Sequence, residues 1–208
     1  MKICCLSDLH GHFPDVPDCY LLLLAGDYAP AWKHHPVRFH SERLVPWVFD
    51  CRQRMEVVAV AGNHDLLFEE HPQYATNASW KYLHDSGCEV GGLKIWGSPW
   101  QPTFGQGWAF NLDESQLADK WALIPDDTDI LLLHGPPRGY GDYSPFGNEH
   151  CGSPSLLQRI VEIKPRLVVS GHIHSGNGVR HLGRTTIVNA SYVNEQYRPA
   201  FPPLVIEI

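Results

Sequence analysis

Side chains that can bind metal recur at one position in this sequence, directly after short apolar runs. Residues 167–176, LVVSGHIHSG, place His172 and His174 one residue apart where such a run ends, with Gly171 permitting a tight backbone path. The other candidates, each after its own apolar run, are Asp8 and His10 (after residues 3–6), Asp27 (after 20–25), Asn63 (after 57–61) and His134 (after 130–133). Nitrogen and oxygen ligands without thiolates suit borderline divalent metals such as Mn, Fe, Zn or Ni.

The number of candidate ligands indicates two metal ions. Seven side chains exceed the three or four protein ligands that a single zinc ion takes. Taken singly, Asp8 and His10 could form a loop ion pair, Asp27 could be a turn residue, and His134 could be a hydrogen-bonded core histidine. A single-metal redox site with two histidines and one carboxylate is the alternative for the whole set. The shared position after five apolar runs favours the two-metal interpretation.

The apolar runs themselves predict the strands that must position these side chains. They are short, rich in Val, Ile and Leu, and bounded by Gly, as buried strands are. Residues 185–189 and 204–208 are predicted as further strands. Strands alternating with helices indicate an α/β sheet, in which ligands bind beyond the carboxyl ends of the strands.

Three helices are predicted between these strands. The first covers residues 38–54 and is expected to bend or split at Pro46. Asp113 caps the second, which runs to Trp121. The third starts at Ser153 or Ser155 and ends before residue 165, a proline.

Length and composition limit the class of protein. The 208 residues are 43% hydrophobic, which predicts a single domain over residues 1–208 with a sizeable core. The net charge of −7 disfavours an extended nucleic-acid surface but is compatible with a small anionic substrate, since bound metals reverse the local charge. No signal peptide or membrane-length apolar run is found, so we expect a cytoplasmic protein without membrane contact. The six cysteines are expected to be free and buried, and the oligomeric state stays open.

The ordered motifs D-x-H, G-D, G-N-H-D, H-G and G-H-x-H, which extend from Asp8 to His174, resemble the calcineurin-like metallophosphoesterase superfamily. The resemblance implies an α/β fold, a four-layer sandwich of two mixed β-sheets flanked by helices. It also implies two divalent metal ions. Their ligands would be Asp8, His10 and His174 for the first ion, Asn63, His134 and His172 for the second, and Asp27 as a bridge between them.

The same resemblance implies two catalytic side chains, His64 and Asp65. His64 would face the substrate and stabilise or protonate the departing oxygen, and Asp65 would orient the His64 ring. Paired cations acidify a bridging water and stabilise the phosphoryl oxygens, so a metal-bridged hydroxide would attack a phosphate ester. The implied activity is therefore hydrolysis of a small phosphate-ester substrate.

Further segments resemble a narrower group, the metallophosphoesterase-domain-containing proteins related to the fetal-brain 239 protein. They are GSPWQP at residues 97–102, WAFNL at 108–112, HGPP at 134–137 and HCG at 150–152. This group implies a phosphodiesterase for small or nucleotide-type diesters, including 3′,5′-cyclic nucleotides. It favours manganese over iron, zinc, nickel or cobalt.

Several alternatives remain beside the phosphodiesterase. They are a phosphomonoesterase or small nuclease of the same superfamily, and a non-catalytic scaffold that keeps the fold. The sequence YAPAW after Asp27 lacks the Asp-Arg-Gly of the protein Ser/Thr phosphatase branch. Arg138, Tyr140 and Tyr143 are interpreted as parts of a solvated loop, and the seven tryptophans as core or loop anchors.

Overall fold

Two large β-sheets contain most of the strands in the computed structural model, which describes residues 1–30, 35–77 and 79–208. In chain order the strands are β1 (Lys2–Leu6), β2 (Leu21–Leu24), β3 (Glu56–Ala59), β4 (Lys81–Tyr82), β5 (Ser86–Val90), β6 (Leu93–Ser98), β7 (Gln101–Pro102), β8 (Asn111–Leu112), β9 (Ile130–Leu133), β10 (Tyr143–Ser144), β11 (Glu149–His150), β12 (Leu167–Ser170), β13 (Gly178–Leu182), β14 (Thr185–Asn189) and β15 (Leu204–Glu207).

Both large sheets are mixed. The first has the strand order β15-β1-β2-β3-β4, and only its β15–β1 pair is antiparallel. The second has the order β13-β14-β12-β9-β6-β5, with a parallel centre and an antiparallel pair at each edge. Two small two-stranded ladders, β7–β8 and β10–β11, accompany them.

Helices cover the outer faces of the two sheets. The α-helices are α1 (Pro36–Phe39), α2 (Val45–Arg52), α3 (Leu66–Glu70), α4 (Gln73–Thr76), α5 (Glu114–Ala122) and α6 (Pro154–Ile163). A π-helix over His40–Leu44 joins α1 to α2, and a 3₁₀ turn covers His174–Gly176.

The central strands are buried on both faces, which produces the layers. Alternate residues of β1 and β2 enter two different apolar clusters, one under α2 and α3 and one between the two sheets. In β9, Ile130 and Leu132 join the cluster between the sheets, whereas Leu131 and Leu133 pack against α5 and α6. The order helix, sheet, sheet, helix confirms the predicted four-layer α/β sandwich of two mixed sheets.

The predicted elements are found close to their expected positions. All five apolar runs form strands, and residues 185–189 and 204–207 form the two further strands. Asp113 caps α5 in a capping box with Gln116, and Ser153 rather than Ser155 caps α6. The predicted interruption near Pro46 is the π-helix that precedes it, since proline has no N–H to continue an α-helical ladder.

All six cysteines are free, as expected, but only Cys4, Cys5 and Cys51 are buried. Cys19, Cys88 and Cys151 are half-buried, which corrects the expectation that all are enclosed. None of the helices within the described ranges has the length and apolar character that a bilayer crossing requires.

Candidate metal centre

The candidate ligands meet where the carboxyl ends of the two sheets face each other. β1, β2 and β3 are parallel neighbours, so the loops that carry Asp8, Asp27 and Asn63 leave one edge of the first sheet. β9 and β12 are parallel neighbours in the second sheet and end just before His134 and His172. The seven predicted metal ligands therefore come from both sheets to one place.

The backbone is strained at four of the candidate ligands. Asp8, His10, Asp27 and His172 have φ values of 53°, 42°, 59° and 68°, in the left-handed region that L-residues seldom adopt. Each such residue costs about 1–2 kcal/mol. Strain of this kind is concentrated at functional sites, where the surrounding structure holds it in place.

One group of side chains consists of Asp8, His10 and His174. The Nδ1 atoms of His10 and His174 lie 3.2 and 3.0 Å from the carbonyls of Ala29 and Asn194, so each Nδ1–H donates to a backbone oxygen. The two Nε2 atoms then face each other at 3.3 Å. His174 Nε2 also lies 3.5 Å from an Asp8 carboxylate oxygen, and although burial lowers the pKa of His174, this carboxylate raises it to about 9. The ligand atoms of the three side chains are close enough for one cation to bind among them.

A second group consists of Asn63, His134 and His172. Nδ1 of His134 lies 2.8 Å from the carbonyl of Ala25, which fixes the tautomer and leaves Nε2 with a lone pair. That Nε2 lies 2.9 Å from Asn63 Oδ1, and His172 Nδ1 lies 2.8 Å from the same oxygen. The three side chains thus direct potential ligand atoms to one point, as the ligands of a single cation do.

Asp27 lies between the two groups. Its Oδ2 is 3.7 Å from His10 Nε2 and 3.6 Å from His134 Nε2, so one oxygen approaches both sets of ligands. Its Oδ1 accepts a hydrogen bond of 2.8 Å from the backbone N–H of His64. This is the position that a bridging carboxylate would occupy.

The electrostatics of the site fit divalent cations. Within the described ranges, the ion-pair partners of the buried Asp8 and Asp27 are histidines, not Lys or Arg. Burial and the negative charge of Asp8 raise the pKa of Asp27 well above its ordinary value. Burial also lowers the pKa of His172 to about 3, so its ring is neutral, as a ligand must be. Bound cations would supply the missing positive charge.

Within residues 1–30, 35–77 and 79–208, ligand atoms of Asp and His come close enough for metal binding in three overlapping sets. The atoms of each set lie within 4.8 Å of one another, and the sets are Asp8–His10–His174, His10–Asp27–His64 and Asp8–Asp27–His134. His64, which the resemblance assigns to the substrate, thus lies at the edge of the same cluster.

Asp65 contacts a different partner from the one expected. Its Oδ2 accepts hydrogen bonds of 2.8 Å from the N–H groups of Asp27 and Gly62, and its Oδ1 accepts from Tyr28 and Ala29 at 3.0 and 3.2 Å. Four backbone donors fill the four acceptor positions of the carboxylate. The predicted role of orienting His64 is therefore corrected, because these bonds hold the loop of Asp27 in place.

Asp65 is itself a buried carboxylate. Burial and the neighbouring Asp27 raise its pKa to about 7, and the hydrogen bonds from the backbone of Gly62 and Ala29 oppose this rise. The backbone donors therefore favour the ionised carboxylate that the loop requires.

An open cleft of about 780 Å³ leads to the candidate ligands. Asp27, Asn63, His172 and His174 line its floor. Its walls contain four aromatic side chains, two basic ones and three glutamates: Phe104, Trp108, Phe146, Tyr197, Arg138, His150, Glu114, Glu149 and Glu195. A cleft of this volume and composition accommodates a small organic phosphate.

Trp108 is a loop tryptophan, as the sequence allowed, and it lines the cleft. It is 36% exposed, stacks on Phe104 at 5.8 Å between ring centroids, and leans on His64 at 4.6 Å. Arg138 is exposed, as expected of a solvated loop, but it lies in the wall of the cleft. The glycines around Trp108, at 105 and 107, were the signal in the sequence for an aromatic loop at the surface.

Sequence reasoning missed the segment after β14. Ser191 donates a 2.7 Å hydrogen bond to an Asp8 carboxylate oxygen, and Tyr197 packs edge-on against His10 and His174. β14 is a parallel neighbour of β12, so its carboxyl end reaches the same edge of the sheet. The rule that pointed to the other loops would have pointed to residues 190–197 as well.

Comparison with known proteins agrees with this geometry. The family model for calcineurin-like phosphoesterases matches residues 1–176. The chain is 36% identical over 236 aligned positions to human metallophosphoesterase domain-containing protein 1, covering 100% of this chain and 71% of the relative. A UPF0046 protein of Caenorhabditis elegans is 32% identical, with coverage of 100% and 75%.

A solved structure shares the fold at lower identity. The phosphopantetheinyl hydrolase PptH of Mycobacterium tuberculosis aligns with a TM-score of 0.57 and 15% identity, covering 94% of this chain and 90% of that one. Together with the family match, the full-length identity and the clustered His and Asp side chains, this likeness leads to one assignment. The chain belongs to the calcineurin-like phosphoesterase family and is a metal-dependent phosphoesterase.

Proposed function

We propose that this protein hydrolyses small phosphodiesters, including nucleotide-type diesters such as 3′,5′-cyclic nucleotides. The observation that carries the proposal is the position of Asp27 Oδ2, at 3.7 and 3.6 Å from the Nε2 atoms of His10 and His134, between two groups of ligands. A shared carboxylate between two ligand groups favours a pair of ions over a single one.

The proposed ligands divide into the two groups described above. Asp8, His10 and His174 would hold one ion and Asn63, His134 and His172 the other, with Asp27 contacting both. Two such cations would supply Lewis-acid stabilisation of the phosphoryl oxygens and an acidified water near neutral pH. Manganese is the ion we favour, and iron, zinc, nickel or cobalt fit the same donor atoms.

His64 is the proposed proton donor. Its ring lies edge-on to His10 at 4.5 Å between centroids, and its backbone N–H is fixed by Asp27. It also lines the open cleft, so a substrate bound over the ligands would contact it. An imidazole there can give a proton to the departing oxygen as the phosphorus–oxygen bond breaks. Asp65 would act indirectly, by holding the loop that carries Asp27.

The shape of the site supports a diester. His64 and Trp108 line the cleft of about 780 Å³ and also a second cavity of about 390 Å³. Space on both sides of His64 accommodates two substituents on phosphorus, whereas a monoester carries one. The stacked pair of Phe104 and Trp108 offers a face for a planar group such as a nucleobase.

The cellular setting stays a prediction. Six free cysteines are typical of a reducing compartment such as the cytoplasm. The net charge of −7 favours a small substrate over a long nucleic acid.

The direct test compares substrate classes. We would measure kcat/KM with Mn²⁺ for a chromogenic phosphodiester, its phosphomonoester and the 3′,5′-cyclic nucleotides, using the chelator-treated protein as the control. The account expects the diesters to be preferred and the activity to vanish without metal. Faster hydrolysis of the monoester would contradict the diesterase assignment while leaving the family unchanged.

A further inference from the structure

A second cavity of about 390 Å³ adjoins the cleft at His64 and Trp108, which line both spaces. Its remaining walls come from the loop after β2, from α1 and the following π-helix, and from α3. The proposed function uses the cleft and the metal ligands, and it assigns no role to most of this second space.

The cavity suits an uncharged apolar group. Its walls include Pro30, Phe39, Leu44, Leu67 and Phe68. The charged side chains among its described lining residues are the carboxylates Asp65 and Glu70. The cleft is more polar, because Arg138, Glu149 and Glu195 line it beside the candidate ligands. The two sides of His64 therefore favour groups of different polarity.

His40 gives the cavity one polar feature. Its side chain lines the cavity and is only 6% exposed, and its Nε2 has no hydrogen-bond partner among the described residues. Burial lowers the pKa of His40, and a backbone contact with Tyr74 opposes this shift, so the ring is neutral and Nε2 can accept a hydrogen bond. Buried polar atoms without a partner are rare, and a bound N–H or O–H group would satisfy this one.

We propose that this cavity binds the leaving group of acyclic phosphodiesters, and that this group is an uncharged, apolar alcohol or phenol. The assignment rests on the proposed phosphodiesterase function. It follows from continuity with the cleft at His64 and from the apolar walls.

The position of His64 indicates which of the two ester oxygens leaves phosphorus. A water oxygen that has lost one proton to solvent forms the new bond to phosphorus, and the bond between phosphorus and the leaving oxygen breaks with its electron pair on that oxygen. The leaving oxygen then takes a proton from the His64 imidazole, which stands where the two spaces meet. The retained part of the substrate stays in the cleft beside Arg138.

Leu66 allows a test that spares the metal ligands. It lines the cavity at the start of α3 and is 39% exposed, so a larger side chain is tolerated there without disturbing the core. Leu66→Trp would narrow the cavity. Leu123→Trp is the matched control, because Leu123 is 53% exposed and lines neither space.

We would compare two methyl phosphodiesters whose phenols are of similar acidity, one with the single-ring 4-nitrophenol and one with the two-ring 4-methylumbelliferone as leaving group. In Leu66→Trp the ratio of kcat/KM for the two-ring over the one-ring diester should fall about tenfold, and in Leu123→Trp it should match the wild type. An unchanged ratio in Leu66→Trp would overturn the cavity assignment. If the wild type turned over neither diester, the phosphodiesterase function itself would fail.

Discussion

At the scale of single residues, the site depends on where the imidazole protons lie. Backbone carbonyls of Ala29, Asn194 and Ala25 take the Nδ1–H of His10, His174 and His134. Each bond fixes the ring and turns an Nε2 lone pair toward the shared space. The protein thus prepares three nitrogen ligands through main-chain contacts that the sequence does not display.

The first prediction concerns His64. His64→Asn should lower kcat on a phosphodiester about 10²–10⁴-fold, because a positioned acid contributes that much. The metal content should stay at the wild-type value, since the seven proposed ligands are kept. Metal analysis and steady-state kinetics on the same sample measure both.

His181→Asn is the matched control for this variant, as His181 is an exposed histidine on β13. It should leave kcat unchanged. Full turnover by His64→Asn would remove His64 from the reaction.

The residue types of the site could be predicted from the sequence, but some of their contacts could not. The five motifs identified each of the seven proposed ligands, because a ligand must carry a donor atom and must follow a strand. The partner of Asp65 was predicted wrongly, since adjacency to His64 in the chain says nothing about three backbone N–H groups in another loop and a fourth at Gly62. The position of Trp108 in the cleft wall could not be predicted, because the exposure of a tryptophan depends on tertiary packing.

At the scale of elements, the strands were predictable because both of their faces are buried. Runs such as residues 21–24, which are four leucines, have no polar face and so predict central strands. The two-residue strands β4, β7, β8, β10 and β11 have no period to detect, and they were not predicted. The π-helix lies just before Pro46. The proline predicted that the helix would be interrupted there, but not that the interruption would be a π-helix.

The second prediction concerns the close contact at the end of β12. A Cβ on residue 171 would overlap Ser7 Oγ and an Asp8 carboxylate oxygen, so only glycine fits there. Gly171→Ala should therefore displace Asp8 and reduce the bound metal to one ion or fewer per chain. Metal analysis of the purified variant measures this.

Gly92→Ala is the control for added bulk at a glycine. Nothing lies within 4 Å of a Cβ at position 92, although its φ of 79° strains an alanine. It should cost about 1–2 kcal/mol of stability and keep the wild-type metal content. A full metal complement in Gly171→Ala would show that the β12 loop does not position Asp8.

The third prediction concerns Asp85, which links β6 and the segment after it to α5. Its carboxylate accepts hydrogen bonds from Ser98, Trp100 and Lys120 at 2.8, 2.9 and 2.6 Å. Burial raises the pKa of Asp85, but these three bonds outweigh it and lower the pKa below its ordinary value. Asp85→Asn should reduce the free energy of unfolding by about 3 kcal/mol near pH 7.

The lowered pKa gives this loss a pH dependence. The stabilisation is complete above the unfolded pKa of about 3.9 and disappears as the pH falls through the lower folded value. Urea unfolding would measure the free energy of unfolding of wild type and variant. The difference between them should be the same at pH 7 and pH 5 and smaller at pH 3. Asp127→Asn, at an exposed ion pair with Lys94, should change little. A difference that grew on acidification would contradict the assignment.

At the scale of the whole molecule, the site joins the two sheets. Asp8, His10, Asp27 and Asn63 follow strands of the first sheet, and His134, His172 and His174 follow strands of the second. The apolar cluster between the sheets brings these two edges together. The proposed metal centre therefore depends on the packing of the sandwich as a whole, which explains why no short segment of the sequence contains it.

The central claim is that seven side chains from five loops hold two divalent ions. Anomalous diffraction at the manganese edge, from crystals grown with Mn²⁺, tests it most directly. The account predicts two peaks per chain, one among Asp8, His10 and His174, the other among Asn63, His134 and His172, with Asp27 between them. A single peak, or peaks away from these side chains, would contradict it.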